Sequence, residues 1–187
     1  VYFENKLLRG NRTVKINSEQ FEAFISPNYP SLADVGINIK YNLSNLYKST
    51  KNSLKINSSI SSDVAILKIF PGISEKVVKS ILHSSKNIVL ETFGAGNITD
   101  KLWFIKQLQD AIIKQVFIVN CSQCLIGEVS QGKYEVSAYL NKIGVVSARD
   151  MTTESAITKL MFLDDMCNTY EEKKSLFIKS LRGEISN

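Results

Sequence analysis

From residue 63 onward, the apolar positions of the chain recur with two spacings that alternate along the sequence. Mostly apolar runs of the kind that form buried strands occur at 64–70, 87–93, 116–120 and 145–146. Apolar residues three and four positions apart indicate amphipathic helices at 74–83, 100–114, 134–143, 153–163 and 171–181. Because strands alternate with helices, the pattern predicts parallel β-α units with right-handed crossovers. We therefore expect an α/β fold, with a small parallel, flavodoxin-like sheet over residues 63–187.

Residues 1–41 follow a different pattern. Extended, β-forming stretches at 1–16 and 36–41 flank a turn cluster, SPNYP, at 26–30. This pattern indicates the tail end of another domain. The apolar side chains that would pack in the rest of that domain are expected to be exposed, namely Tyr2, Phe3, Leu7 and Leu8.

The segment 42–62 separates the two patterns. It is rich in Ser and Asn, carries lysines and shows no sustained period, which predicts a linker between two compact parts. A basic tail that binds nucleic acid is the alternative, but the segment lacks Arg and clustered aromatic residues. The sequence therefore predicts residues 1–41 as one part, residues 42–62 as an interdomain linker and residues 63–187 as a domain.

Composition limits the class of protein without defining it. The 23 basic and 18 acidic residues leave a net charge of +5, which does not require a nucleic-acid partner. Three cysteines are too few for a disulfide framework and favour a reducing compartment, so we expect a cytoplasmic protein. No apolar run approaches the roughly 18 residues that span a bilayer, and we expect no membrane partner.

Loops at the carboxyl ends of the predicted strands are the first place to look for a site, because ligands of open parallel sheets bind there. In one of these loops, Gly94 and Gly96 allow a tight turn, and Asn97 presents both a donor and an acceptor. A dinucleotide-binding fingerprint is excluded, since the third glycine and the downstream acid are missing. The plainer alternative is a strand-to-helix turn whose helix is capped by Thr99 or Asp100.

The cysteines do not make a metal site. Cys121 and Cys124 have a zinc-like spacing, but the chain's other Cys and His residues are only Cys167 and His83. Four convincing ligands are therefore lacking, and two packed or partly exposed thiols are the favoured interpretation. We expect neither a metal nor a cofactor.

Lys15 is the charged residue of greatest interest in the amino-terminal part. It lies between the apolar Val14 and Ile16, where a lysine can be desolvated or can pair with a carboxylate that it helps to activate. A surface lysine that keeps its ammonium group in water is the other interpretation. Spacing and composition leave both open.

Several motifs together carry a resemblance to a known family. They are RGNRTVK at 9–15, FISPN at 24–28, PGIS at 71–74, ETFGAGN at 91–97 and DMTTESA at 150–156. In order and spacing they resemble the carboxyl-terminal part of bacterial cytoplasmic (type I) L-asparaginases, and the match covers nearly the whole chain. The resemblance implies that residues 1–41 are the end of a larger α/β amino-terminal domain, most of which lies outside this chain.

The resemblance implies an amidohydrolase that converts L-asparagine to L-aspartate and ammonia through a threonine nucleophile not present in this chain. Lys15 matches the lysine of the family's catalytic Thr–Lys–Asp group. Asn97 and Glu135 match residues that complete the active site of the neighbouring subunit. The implied partners are L-asparagine and further copies of the chain, as a dimer or a dimer of dimers. Two alternatives stay open: an asparaginase-like subunit of a glutamyl-tRNA(Gln) amidotransferase, and a non-catalytic interaction domain with an asparaginase fold.

Some members of that family bind asparagine at a separate regulatory site, using a threonine, an arginine and a cysteine. By the resemblance, Val14, Glu91 and Cys124 stand at these three positions. A carboxylate in place of a guanidinium repels the carboxylate of an amino acid. We therefore expect no regulation by asparagine.

Overall fold

The computed structural model describes residues 1–48, 53, 56–132 and 135–186, the side chains of residues 135–137 excepted. Its amino-terminal part contains six short strands: β1 (Tyr2–Phe3), β2 (Lys6–Leu7), β3 (Val14–Lys15), β4 (Phe24–Ile25), β5 (Ala33–Val35) and β6 (Ile39–Tyr41). Four of them form an antiparallel sheet in the order β1-β2-β5-β6. The other two, β3 and β4, pair antiparallel as a separate hairpin, which we call the β3–β4 hairpin.

The second sheet is parallel throughout. It consists of β7 (Val64–Lys68), β8 (Asn87–Thr92), β9 (Phe117–Ser122) and β10 (Val146–Ser147). Within the described residues the strands lie in the order β10-β9-β8-β7, so consecutive strands are neighbours. The predicted α/β class with a small parallel sheet is confirmed.

Helices cover both faces of this parallel sheet. They are α1 (Glu75–Leu82), α2 (Leu102–Ile113), α3 (Glu135–Ile143), α4 (Thr153–Met166) and α5 (Tyr170–Phe177). Ile88 and Leu90 of β8 pack on one face with residues of α1, α2 and α3, whereas Val89 packs on the other face with α4 and α5. Because both faces are buried, the strands are apolar throughout rather than alternating. No helix among the described residues has the length and apolar character that crossing a bilayer requires.

The start of α4 agrees with the prediction from the sequence, but the start of α2 does not. Thr152 accepts a hydrogen bond from the amide of Ser155, as expected of a residue that caps a helix. The predicted cap of α2 by Thr99 or Asp100 is wrong, since α2 begins after Lys101 without a side-chain cap. Thr99 lies too early for this role, and its hydroxyl instead accepts from the amide of Lys101 at 3.4 Å.

The amino-terminal residues are less exposed than the sequence predicted. Tyr2 is exposed, as expected, but Phe3 and Leu7 are half-buried and Leu8 is buried, so the expectation for Leu8 is wrong. The segment folds back on itself, because Val1 and Leu8 exchange backbone hydrogen bonds of 2.6 and 2.8 Å. The ring of Phe3 also packs edge-on against Phe24, with 5.1 Å between the centroids.

The predicted linker is described only in part. Of residues 42–62, residues 49–52, 54 and 55 lie outside the described residues. On the amino-terminal side, the hydroxyl of Tyr47 donates to the carbonyl oxygen of Leu181 at 3.1 Å. On the carboxyl-terminal side, Ser61 donates to the carboxylate of Asp164 at 2.7 Å. Both described ends of this segment are therefore attached to the parallel-sheet part.

Candidate functional site

The β3–β4 hairpin presents Lys15 to solvent. In the antiparallel register Val14 lies opposite Ile25 and Lys15 opposite Phe24. Because side chains alternate across a strand, Val14 is buried and Lys15 is exposed. The Lys15 ammonium lies 5.8 Å from the Phe24 ring centroid. Within the described residues it has neither a hydrogen bond nor an ion pair, so of the two interpretations left open by the sequence, the structure favours the exposed lysine.

Asn97 closes a tight loop at the carboxyl end of β8. The amide of Phe93 donates to the carbonyl oxygen of Asn97 at 2.9 Å, and the amide of Asn97 donates back at 2.8 Å. Between them, Gly94 and Gly96 both have positive φ, at 51° and 108°. The Asn97 side chain is half-buried and makes no hydrogen bond to another described residue. Its donor and its acceptor are therefore both available to a ligand or a neighbouring chain.

A buried asparagine that the sequence analysis missed supports this loop. Asn120, at the carboxyl end of β9, is fully buried and accepts a hydrogen bond from the Thr92 hydroxyl at 2.6 Å. It donates to Gln131 at 3.1 Å. Gly96 packs so closely on this region that a Cβ there would lie 2.8 Å from Val129 Cγ1 and 3.1 Å from Asn120 Nδ2. The available signal was a polar residue that follows three apolar ones in β9.

The three predicted site residues lie on separate elements. Lys15 belongs to the β3–β4 hairpin, Asn97 follows β8, and Glu135 begins α3, although the Glu135 side chain is outside the described residues. Among the described contacts, none joins Lys15 to Asn97. Within one chain, the described hydrogen bonds and ion pairs therefore do not link Lys15 to Asn97.

A cavity of about 370 Å³ lies beyond the carboxyl ends of β7, β8 and β9. Its lining includes Val14, Glu91 and Cys124, the three residues that the resemblance associated with a regulatory site. The Glu91 carboxylate accepts a hydrogen bond from the Thr153 hydroxyl at 2.7 Å and lies 3.4 Å from the Lys68 ammonium. The charge facing this cavity from β8 is therefore negative.

The cysteines differ in exposure. Cys121 is buried, Cys167 is intermediate and Cys124 is exposed. Burial, together with the nearby charges of Glu91 and Glu154, raises the pKa of the Cys121 thiol. The described residues contain no cluster of His, Cys, Asp and Glu side chains that could hold a metal ion.

Two family models match this chain in the order of its two parts. The model for the asparaginase N-terminal domain matches residues 1–47, and the model for the glutaminase/asparaginase C-terminal domain matches residues 63–177. The second match alone covers more than half of the chain. The chain therefore belongs to the glutaminase/asparaginase family, which confirms the resemblance seen in the motifs.

Individual relatives agree with this family. The chain is 38% identical to a 60 kDa lysophospholipase of Mus musculus, over 100% of this chain and 33% of that protein. It is 37% identical to an L-asparaginase of Dirofilaria immitis, over 100% of this chain and 32% of that protein. The crystal structure of L-asparaginase I from Vibrio cholerae O1 biovar eltor str. N16961 matches with a TM-score of 0.91 and 36% identity, covering 100% of this chain and 57% of that one. The chain thus spans about a third of the two curated relatives and just over half of the Vibrio protein.

Proposed function

We propose that this chain is the carboxyl-terminal part of an L-asparaginase that hydrolyses L-asparagine to L-aspartate and ammonia. The observation that carries the proposal is the match over the full chain to L-asparaginase I of Vibrio cholerae, with a TM-score of 0.91. The bond-breaking threonine belongs to the part of the protein outside this chain. No cofactor is needed, because a hydroxyl nucleophile, a base and oxyanion donors suffice for hydrolysis of an amide. The free thiols of the chain are compatible with a cytoplasmic location.

Lys15 is the catalytic residue that this chain contributes to its own subunit. Its ammonium is exposed on the β3–β4 hairpin, without a hydrogen-bond partner among the described residues. It is therefore available to a carboxylate and a hydroxyl supplied by the missing amino-terminal part. A lysine in that position stabilises the deprotonated form of a neighbouring hydroxyl and so aids proton transfer.

Asn97 and Glu135 serve the active site of a neighbouring subunit. Asn97 is half-buried at the edge of the sheet where ligands bind, and its side-chain amide has no hydrogen-bond partner among the described residues. Glu135 begins α3, the helix that precedes β10. Since no described hydrogen bond or ion pair links Lys15 to Asn97 within one chain, we assign them to a pocket built from two copies.

The groove between α2 and α3 fits that second copy. Leu102 and Ile113 of α2 are 83% and 68% exposed, and Tyr139 of α3 is 44% exposed. These residues line a cavity of about 690 Å³, which also contains Lys106 and Asp110. In an antiparallel contact between two copies of α2, opposite charges can face each other while the apolar ends pack together. Leu102 follows the Asn97 loop closely, so this contact brings Asn97 near the partner.

The direct test measures ammonia release from L-asparagine by the full-length protein. We expect turnover in the parent, a loss of at least about 100-fold in Lys15→Met, and little change in Lys40→Met, an exposed strand lysine that serves as control. The 187-residue chain by itself should release no ammonia, because it lacks the nucleophile. Ammonia release that requires a tRNA-bound substrate would instead support the amidotransferase alternative, and a parent without any amidase activity would support the interaction domain.

The second test addresses the subunit contact through two matched substitutions. Leu102→Glu and Val77→Glu each place an acid in the first turn of a helix, where an acid is tolerated. Light scattering of the full-length protein should show smaller particles for Leu102→Glu only. An unchanged mass for Leu102→Glu would exclude the α2–α3 groove as the contact.

A further inference from the structure

The β3–β4 hairpin is attached to the parallel-sheet part at both of its ends. Before β3, Arg12 is a buried residue with only 1% of its surface exposed. After β4, the Asn28 side chain donates to the carbonyl oxygen of Asp150 at 3.2 Å and accepts from the amide of Gly127 at 2.9 Å. The hairpin that carries Lys15 therefore cannot shift without breaking contacts at these two residues.

Arg12 joins the hairpin to the carboxyl-terminal residues. Its Nη2 atom donates to the Asp150 carboxylate at 2.6 Å, to the Ser186 hydroxyl at 2.9 Å and to the carbonyl oxygen of Asn28 at 3.1 Å. Its Nη1 atom donates to the carbonyl oxygen of Glu184 at 2.8 Å. The planar guanidinium can satisfy this set of acceptors at once, which the single ammonium of a lysine cannot do.

The tail segment, residues 181–186, is itself held in place. The Glu184 carboxylate accepts from the amides of Leu181 and Arg182 at 3.0 and 2.6 Å. It also forms a buried ion pair with Lys159 of α4 at 2.5 Å. A buried ion pair with further hydrogen bonds to its carboxylate fixes a geometry even where it adds little net stability. The tail segment therefore offers Arg12 a rigid set of acceptors.

Asp150 stays charged in this network. Burial raises the pKa of its carboxyl group. The hydrogen bonds from Arg12 and Ser186 have the opposite effect and outweigh burial, so the pKa lies below its ordinary value. A charged carboxylate makes the hydrogen bond with the Arg12 guanidinium a strong one. Asp150 is therefore the electrostatic centre of the attachment.

We infer that Asp150 and the tail segment position Lys15 for catalysis by fixing Arg12 and hence the β3–β4 hairpin. The inference rests on the proposed function. Lys15 follows Arg12 by three residues, so the extended connection between them is about 10 Å long and leaves the lysine little freedom. A catalytic group displaced by about 1 Å can cost on the order of a hundredfold in rate. Asp150 is a positioning residue, since it acts through Arg12 and Lys15.

The test compares two aspartates of similar burial in the full-length protein. Asp150 and Asp164 each form an ion pair, with 10% and 15% of the side chain exposed. Asp164, however, lies in α4 and pairs with Lys173 of α5, and none of its described hydrogen bonds or ion pairs involves the hairpin. We expect Asp150→Asn to lower kcat by about 10- to 100-fold and to speed amide hydrogen exchange in residues 14–25. Asp164→Asn should change neither quantity more than about twofold.

Two glycines provide a second matched pair. Both have positive φ, 77° at Gly183 and 99° at Gly144. A Cβ at Gly183 would lie 1.8 Å from Arg9 Nη1, whereas at Gly144 the nearest contact would be an ordinary 3.6 Å to Ile112. Because Arg9 Nη1 is the far end of a flexible side chain, Gly183→Ala should displace the Arg9 guanidinium from the Gly183 carbonyl oxygen, to which it donates at 3.0 Å, and so disturb the tail segment. We expect a loss in kcat smaller than that of Asp150→Asn, while Gly144→Ala, with a similar backbone cost, should leave kcat unchanged.

A double-mutant cycle separates positioning from general loosening. If Asp150 acts through Lys15, then Asp150→Asn in a Lys15→Met background should change the residual turnover less than twofold. An equal loss in both backgrounds, or equal effects of Asp150→Asn and Asp164→Asn on kcat and exchange, would overturn the inference. A parent without asparagine turnover would overturn the proposed function instead, and the exchange data would still show whether Asp150 holds the hairpin.

Discussion

The loop that carries Asn97 offers a matched pair of substitutions two residues apart, Gly94→Ala and Gly96→Ala. Both glycines have positive φ, which costs a residue with a side chain about 1–2 kcal/mol. Alanine also lowers the conformational entropy of the unfolded chain, which stabilises the folded protein by about 0.4–1 kcal/mol and offsets part of this cost. Only at Gly96 does the new methyl group overlap a neighbour, at 2.8 Å from Val129 Cγ1. Such overpacking typically costs about 1–3 kcal/mol.

We therefore expect a free energy of unfolding lowered by about 1 kcal/mol in Gly94→Ala and by about 2–4 kcal/mol in Gly96→Ala. Around Gly94 no atom lies within 4 Å of the new methyl group, so that variant measures the cost of a positive φ without an overlap. At Gly96 the φ of 108° lies outside the left-handed region of residues with a side chain, which adds to the cost of the overlap. Calorimetric unfolding of the full-length variants measures the difference, and about 2 kcal/mol corresponds to roughly 4–8 °C in a domain of this size. Equal melting temperatures for the two variants would refute the argument that Val129 confines the loop.

The remaining predictions concern pH, regulation and proteolysis. Burial raises the pKa of Asp164, but hydrogen bonds from Lys173, Asn87 and Ser61 lower it to about 2. The folded pKa is below the ordinary 3.8, so this stabilisation is present above pH 3.8 and is lost as the pH falls towards 2. When the pH is lowered from 5 to 2.5, the melting temperature of Asp164→Asn should therefore fall less than that of the parent. The Glu91 carboxylate faces the cavity beyond the strand ends and repels the carboxylate of asparagine, so we expect no regulatory binding there. Initial rates should therefore depend hyperbolically on the asparagine concentration, and a sigmoidal curve would contradict this. Limited proteolysis should cut first within residues 42–62, whereas uniform resistance there would contradict a linker.

Much of the parallel-sheet part could be predicted from the sequence, because local patterns determine it. The apolar run of β8 reflects burial on both faces, and the cap at Thr152 depends only on its neighbours. Strand β5 (Ala33–Val35) was missed, since Ala33 and Asp34, two of its three residues, are of types depleted in strands. Short elements like this one form because neighbouring strands pair with them.

The candidate site was predictable only where local chemistry determines it. The position of Asn97 follows from the glycines before it, but Asn120 supports that loop from another strand. The burial of Arg12 could not be predicted, since arginine is almost never fully buried without partners. Its acceptors Asp150, Glu184 and Ser186 lie 138 to 174 positions away along the chain. Contacts at that separation leave no periodicity in a sequence.

Complementation between two impaired variants tests the central claim most directly, namely that Lys15 and Asn97 meet across subunits. Lys15→Met and Asn97→Ala of the full-length protein are each measured alone and after refolding as an equal mixture. A hybrid dimer has one site with both defects and one intact site, so statistical mixing should restore about a quarter of the parent activity. A mixture no more active than its separate components would contradict the account.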